Sequence, residues 1–356
     1  MLKYLRLILF PLSLVYGLII IVRNWCFDLG ILKSVQFDLP VICVGNLAVG
    51  GSGKTPVTEY LVNLLADKKI AILSRGYGRN TRGFLLADEN ATASTIGDEP
   101  LQYYSKFPHV TVAVCEDREK GIRLLEKDHD LIILDDAYQH RRVKAGFYIL
   151  LFEYASMFRL QWMLPTGNLR EPFSGYRRAD AILITKSPVE INPARKSEIL
   201  SKFADAYKPR VHFAVINYES YKPVFASSHF QSTTLSQDTK VFMLTGIANP
   251  LPLVQHLEGQ FQRVSQHCFP DHHRFRVAEI SALVEAFKND PAGDKCIITT
   301  EKDAQRLIDA NIKELLVDLP VFYLPIAVQM QAADQDRFNN KIIEYVSNRT
   351  RNRTIY

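Results

Sequence analysis

The sequence has no Cys-x-x-Cys pair, no apolar run long enough for a clean membrane crossing and no large excess of either charge. The five cysteines, at positions 26, 43, 115, 268 and 296, would leave one over if paired. That argues for reduced thiols in a cytosolic body, against a disulfide framework and against a Cys-rich zinc site. Lys and Arg total 43 against 38 Asp and Glu, a net charge of +5. The imbalance is too mild to name a nucleic-acid partner, and none is expected. It suits an anionic small substrate or a phospholipid surface. Gly and Pro, 17 each, are too few and scattered for a fibrous or low-complexity chain, and no internal repeat is evident. Against these absences stand 47% hydrophobic and 23% charged residues, ordinary globular usage. The 356 residues exceed what one core usually holds, about 250 to 300, so two packed units are expected.

The N-terminus carries an apolar run over residues 7–22, flanked by Lys3, Arg6 and Arg23. It falls short of the roughly 20 residues of a spanning helix, and Pro11, Ser13 and Gly17 weaken it further. A segment lying in one leaflet fits better, with Tyr4, Tyr16 and Trp25 at headgroup depth and the basic flanks on anionic lipid. The competing reading is a helix buried against the protein body.

From residue 40 short apolar runs alternate with amphipathic stretches, the pattern of parallel α/β layering. Strands are expected at 41–45, 70–74, 110–115, 131–135, 148–152 and 181–185, and helices at 55–66 and 117–127. A Ser-, Thr- and Gln-rich stretch around 217–240 reads as linker or hairpin. Beyond it a second unit is expected: strands at 241–245, 296–299 and 321–324, and helices at 278–288 and 333–345. The expected organisation is a membrane-associated helix (1–25), a P-loop domain with a mostly parallel sheet (26–216), a linker (217–240) and a smaller α/β domain (241–356).

After the first strand comes Ala48-Val49-Gly50-Gly51-Ser52-Gly53-Lys54-Thr55, the end of a Walker A pattern with Ala48 in place of its first glycine. The glycines let backbone N–H groups turn onto phosphate oxygens, Lys54 supplies a charge for the β and γ phosphates, and Thr55 offers a hydroxyl to Mg²⁺. The expected partner is an apolar strand ending in acid, and Leu131-Ile132-Ile133-Leu134-Asp135-Asp136 supplies it. Asp136, at the tip, is the expected direct metal ligand, with Asp135 behind it. Thr185-Lys186-Ser187-Pro188 lacks the acid of a guanine-specificity motif, which favours ATP over GTP.

Further strings occur in order: Ser74-Arg75-Gly76-Tyr77-Gly78-Arg79, Gly97-Asp98-Glu99-Pro100, Asp135-Asp136-Ala137-Tyr138-Gln139-His140-Arg141, Leu164-Pro165-Thr166-Gly167-Asn168-Leu169-Arg170-Glu171-Pro172, Phe269-Pro270-Asp271-His272-His273 and Thr300-Glu301-Lys302-Asp303. Behind a phosphate loop and an apolar N-terminal helix, this set resembles the tetraacyldisaccharide 4'-kinase family of Gram-negative lipid A synthesis, over residues 1 to about 330. The resemblance implies transfer of the ATP γ-phosphate to the 4'-hydroxyl of a tetraacyl glucosamine disaccharide 1-phosphate, giving lipid IVA. It implies binding to the cytoplasmic face of the inner membrane, and no protein partner is implied. By matched letters it implies catalytic roles for Asp98 and His272, and places Asp135, Asp136 and Gln139 near Mg²⁺ and nucleotide. Ala137-Tyr138 stands where the family often has Gly-Phe, and Asn168 occupies a variable place.

Read without the family, Asp98 is equally a helix cap in a turn, and His267, Asp271, His272, His273 and Cys268 lack a second ligand pair at zinc spacing. Arg75, Arg118 and Arg170 follow strand ends or sit in glycine-rich loops, where anion contact is favoured. With Tyr77 and Asn168 they are the expected substrate-binding set. The competing functions are a P-loop nucleotide hydrolase and a nucleotide-regulated membrane scaffold.

Overall fold

The computed structural model describes residues 6–225 and 235–354. A nine-stranded sheet runs in the order β14-β8-β7-β6-β1-β5-β2-β4-β3. Its strands are β1 (Val41–Asn46), β2 (Ile70–Ser74), β3 (Leu85–Leu86), β4 (Thr111–Val114), β5 (Leu131–Asp135), β6 (Phe147–Glu153), β7 (Ala181–Thr185), β8 (Val211–Tyr218) and β14 (Ile326–Met330). The seven strands from β8 to β4 are parallel, and the edge strands β3 and β14 are antiparallel. β1, β2, β5 and β7 are buried along their whole length, which is why they read in sequence as continuous apolar runs. A second sheet, β11-β10-β12-β13-β9, is built from β9 (Lys222–Pro223), β10 (Lys240–Thr245), β11 (Arg263–Cys268), β12 (Lys295–Thr300) and β13 (Val321–Leu324).

The stretch 217–240, expected as linker or hairpin, contributes the end of β8, strand β9 and the start of β10; its residues 226–234 lie outside the described residues. The chain's end also departs from expectation. After β13 it returns to the large sheet, where Ile326–Met330 pairs with β8 and Phe338, Ile342 and Val346 of the last helix, Ala332–Thr354, are buried in the core around β1 and β6. The expected unit 241–356 therefore does not hold together to its end, because the apolar face of that helix finds its partner on the first sheet.

The N-terminal helix, Phe10–Asp28, turns the usual burial pattern round. Its buried residues are Ser13 and Gly17, while Leu14, Leu18 and Ile21 are 59%, 62% and 53% exposed. A core helix buries its large apolar side chains, so the reading of this segment as core fails here. Its small face is tied to the body: Ser13 Oγ to Thr166 Oγ1 at 2.7 Å, Tyr16 Oη to Arg170 O at 3.0 Å and Arg23 Nη2 to Gln139 O at 2.9 Å.

The two sheets meet through the helices Asp98–Lys106 and Glu301–Leu307. Between them and the helix Lys54–Leu64, the half-buried Lys106 Nζ donates to Glu59 Oε2 at 2.8 Å and to Glu301 Oε2 at 3.1 Å, and Gln102 donates to both acids. Two carboxyls share one ammonium. Burial, against the pull of Lys106, pushes Glu59 up to about 7 and raises Glu301. A raised carboxyl means that the folded state holds the proton more tightly, so the stabilisation is present below the unfolded value and lost as pH rises through the folded one. The melting temperature is therefore expected to fall as pH rises from about 4.5 to about 7, a window set by this shift. Glu59→Gln, with no proton to lose, should make that slope shallower in calorimetry across the range; an unchanged slope would contradict it.

Candidate active site

The phosphate loop leaves β1 at its carboxyl end. Gly50 and Gly53 take φ of 120° and 82°, where a side chain would be strained, and the helix Lys54–Leu64 begins one residue after Gly53. The loop is braced on several sides. Thr185 Oγ1, at the tip of β7, donates to Ser52 O at 2.8 Å, and Asn46 Nδ2 donates to Ser52 Oγ at 2.9 Å. Gln139 Nε2 holds Asn46 O at 2.8 Å, so Gln139 acts through the strand that launches the loop. Val49 N donates to Asn168 O at 2.8 Å, and Ala48 bridges Leu169. Ala48, Val49, Gly51 and the remaining loop residues thus sit in a frame fixed before any ligand arrives.

Opposite the loop, β5 ends in Asp135, and Asp136 follows it. Asp136 has φ of 47° and turns the chain at the strand tip, its carboxylate 3.8 Å from Lys54 Nζ and 3.2 Å from Arg170 Nη1. Asp135 is 4% exposed, and burial together with the charge of Asp136 pushes its carboxyl up to about 7. Its Oδ1 has no hydrogen-bond partner.

Asp98 opens its helix after Gly97, whose φ is 96° and where a Cβ would come within 3.0 Å of Tyr77 O. That contact lays the loop Arg75-Gly76-Tyr77 directly against the acid; Arg75 and Tyr77 are exposed there. From the second sheet, the loop after β11 brings in His272 with φ of 58°, its Nδ1 3.0 Å from Asp98 Oδ2 and its ring 5.2 Å from that of Tyr77. Arg306 makes two bonds to the same carboxylate, Nε to Oδ1 at 3.1 Å and Nη2 to Oδ2, and a third to Asp303 at 2.7 Å. Burial would raise Asp98, but the bonds from His272 and Arg306 and the charges of Arg306 and Lys302 hold it well below the usual carboxylate range.

The structure therefore brings Lys54, Asp136 and Arg170 together at one point and Asp98, His272 and Tyr77 at another. Asn168 is exposed and accepts from Arg6 Nη1 at 3.2 Å. Arg118 departs from expectation. It is 2% exposed, and its guanidinium donates to Cys115 O at 2.7 Å and to Glu116 O and Asp135 O at 3.5 Å, so it supports the strand ends instead of facing a substrate. Sequence reasoning missed Arg306 and gave no role to Lys302. Their signal lay in Thr300-Glu301-Lys302-Asp303, which opens the helix that carries both.

Among the described residues no group of three or more His, Cys, Asp or Glu side chains is placed to hold a metal ion. His273 bonds Glu279 at 2.8 Å, and His267 stacks on Phe242.

A parallel strand, a glycine-rich loop on a helix start and a facing strand tipped with acid define a P-loop enzyme that acts on phosphate groups. The family model for tetraacyldisaccharide-1-P 4'-kinase matches residues 5–347. The chain belongs to that family, the kinases of lipid A biosynthesis. It is 44% identical to the tetraacyldisaccharide 4'-kinase of Flavobacterium johnsoniae, covering 96% of this chain and 97% of that protein. It is 41% identical to that of Bacteroides thetaiotaomicron, covering 97% and 94%. The crystal structure of LpxK from Aquifex aeolicus in complex with ATP superposes with a TM-score of 0.74 at 30% identity, covering 96% of this chain and 99% of that one.

Proposed function

We propose that the chain transfers the γ-phosphate of ATP to the 4'-hydroxyl of a tetraacyl glucosamine disaccharide 1-phosphate at the surface of a membrane. The observation that carries this reading is the pairing of a carboxylate and an imidazole, Asp98 and His272, at 3.0 Å, at the start of a helix whose next residue, Glu99, acts together with Lys54 of the phosphate loop on the charge of the same Asp135: an attacking sugar hydroxyl must be held and relieved of its proton, and this pair can do both. ATP would lie with its phosphates over Gly50, Gly51 and Gly53 and against Lys54. Asp98 Oδ1, with one bond to Arg306, has room to accept the hydroxyl. The hydroxyl O–H bond breaks with its proton passing to Asp98, the new O–P bond forms, and the bond from the γ-phosphorus to ADP breaks. His272 orients Asp98. Arg75, Tyr77, Asn168 and Arg170 line the approach as contacts for phosphate and sugar.

The donor set also fits Mg²⁺. A buried carboxylate with an unpartnered Oδ1, a second carboxylate at the strand tip and a threonine hydroxyl opening the helix are hard oxygen donors of the kind it takes. Thr55, Asp136 and Asp135 would hold it. When bound, it supplies charge that offsets the negative phosphates.

Although the unbroken apolar run falls short of a span, the helix Phe10–Asp28 into which it folds is long and apolar enough to cross a membrane by length and composition. Its contacts with the body at Ser13, Tyr16 and Arg23 run along most of its length, so we read it as lying in the leaflet with its exposed face in lipid, on the cytoplasmic side where ATP is. Leu14→Glu with Leu18→Glu and Ile21→Glu should move the protein to the soluble fraction while leaving the docked face and the melting temperature unchanged, and deletion of residues 1–24 should do the same to the fractionation. Retention of the triple variant on membranes at high salt would place the anchor elsewhere.

Acceptor dependence tests the reaction. ADP should form in step with consumption of the lipid disaccharide and stop without it. ADP formed equally without acceptor would make the chain a hydrolase, and no ADP in either case would make it a scaffold.

A further inference from the structure

His272 is gripped from both sides. Nδ1 faces the Asp98 carboxylate at 3.0 Å, and Nε2 lies 3.2 Å from the Nζ of Lys302, which also donates to Glu99 Oε1 at 2.7 Å. Lys302 and Arg306 sit four residues apart on the helix Glu301–Leu307 and so share one face. One helix therefore presents an ammonium to the ring and a guanidinium to the carboxylate.

The donor inventory then fixes the ring. An ammonium has three donors and no acceptor, so the bond to Nε2 requires a lone pair on that nitrogen. An ionised carboxylate has no donor, so the bond to Nδ1 requires the proton there. We propose that Lys302 is a positioning residue for the phosphoryl transfer: by donating to Nε2 it keeps the His272 ring neutral, with its single proton on Nδ1 aimed at Asp98.

The proposal rests on the reading of Asp98 and His272 as the pair that handles the hydroxyl proton. A neutral ring lends Asp98 a hydrogen bond without a full second cation at its oxygen, and leaves it more able to accept a proton than an imidazolium would. The charged and titratable groups facing the ring are Asp98 and Glu99 from one helix, Lys302 and Arg306 from the other, Asp271 from its own loop with Oδ2 4.0 Å from Nε2, and the Tyr77 ring. With Lys302 gone, the acids among them dominate and the ring gains its second proton more easily.

The test is a long-range ¹H–¹⁵N correlation of histidine-labelled full-length protein, with His272 assigned by its loss in His272→Gln, alongside pH profiles of kcat. The wild type should show the neutral Nδ1–H form at pH 7.5. In Lys302→Met the ring's titration and the acid limb of kcat should both move up by about one pH unit, with KM for ATP unchanged, and Lys302→Arg should restore both. A wild-type ring protonated on Nε2, a titration unmoved in Lys302→Met, or a loss confined to ATP binding would each overturn the proposal. The underlying pair is tested separately by His272→Ala. If that variant keeps normal kcat, the pair fails as catalytic machinery whatever the spectra show; if it loses activity while Lys302→Met titrates as wild type, only the role of Lys302 fails.

Discussion

Lys54→Ala should lower kcat at least about 10²-fold, a loss near 3 kcal/mol of transition-state stabilisation. The side chain begins the helix behind Gly53, is only 17% exposed and reaches within 3.8 Å of Asp136, so its ammonium is already aimed where the β and γ phosphates would lie. In phosphoryl transfer almost all catalysis is positioning and charge, and a fixed cation on the transferring group has no replacement nearby once removed. Arg170 meets the same carboxylate, but it is held by both oxygens of Asp136 at 3.2 and 3.3 Å. The check is steady-state turnover with saturating ATP and acceptor. Turnover close to normal would remove the phosphate loop from the mechanism.

The second large effect concerns Asp98 and His272. Each single alanine variant should lose on the order of 10²- to 10⁴-fold in kcat, and the double variant should be little worse than the poorer single one, because groups that act as a unit are not additive. KM for ATP should change less, since neither side chain touches the phosphate loop. The sign of the pH dependence follows from the geometry. His272 and Arg306 hold Asp98 well below the usual carboxylate range, so it stays ionised as pH falls through that range and contributes no acid limb there. Asp135, pushed up to about 7, gains its proton over the mildly acidic range and supplies an acid limb of its own, so the part of that limb that belongs to the pair is the part that disappears in His272→Ala. Multiplicative losses in the double variant, or an acid limb wholly unchanged in His272→Ala, would dissolve the pair while leaving the kinase standing.

Much of the first sheet was legible because its central strands are buried on both faces and so appear as unbroken apolar runs such as Leu131-Ile132-Ile133-Leu134. The edges were not. β11, Arg263-Val264-Ser265-Gln266-His267-Cys268, is an edge strand with exposed or half-exposed residues throughout and carries no apolar run, and β14 lies after a second sheet that gives no hint of a return to the first. In the site, strings with glycine or paired acids announced themselves, because phosphate loops and strand-tip carboxylates need those residues at fixed spacing. Arg306 did not, because an arginine in a helix looks the same whether it faces water or clamps a carboxylate more than 200 residues earlier. The converse case was Arg118, whose place after a strand end suggested anion contact, whereas burial turns its two Nη groups to three backbone carbonyls and leaves Nε without a partner.

The most direct measurement is the position of the new phosphate in the product. Incubation with ATP and a tetraacyl disaccharide 1-phosphate, followed by a ³¹P–¹H correlation spectrum, should show one new phosphomonoester coupled to the proton on the 4' carbon, formed one for one with ADP. Inorganic phosphate in place of the ester, or an ester on any other hydroxyl, would contradict the assignment of Asp98 and His272 as the groups that hold and deprotonate the 4'-hydroxyl.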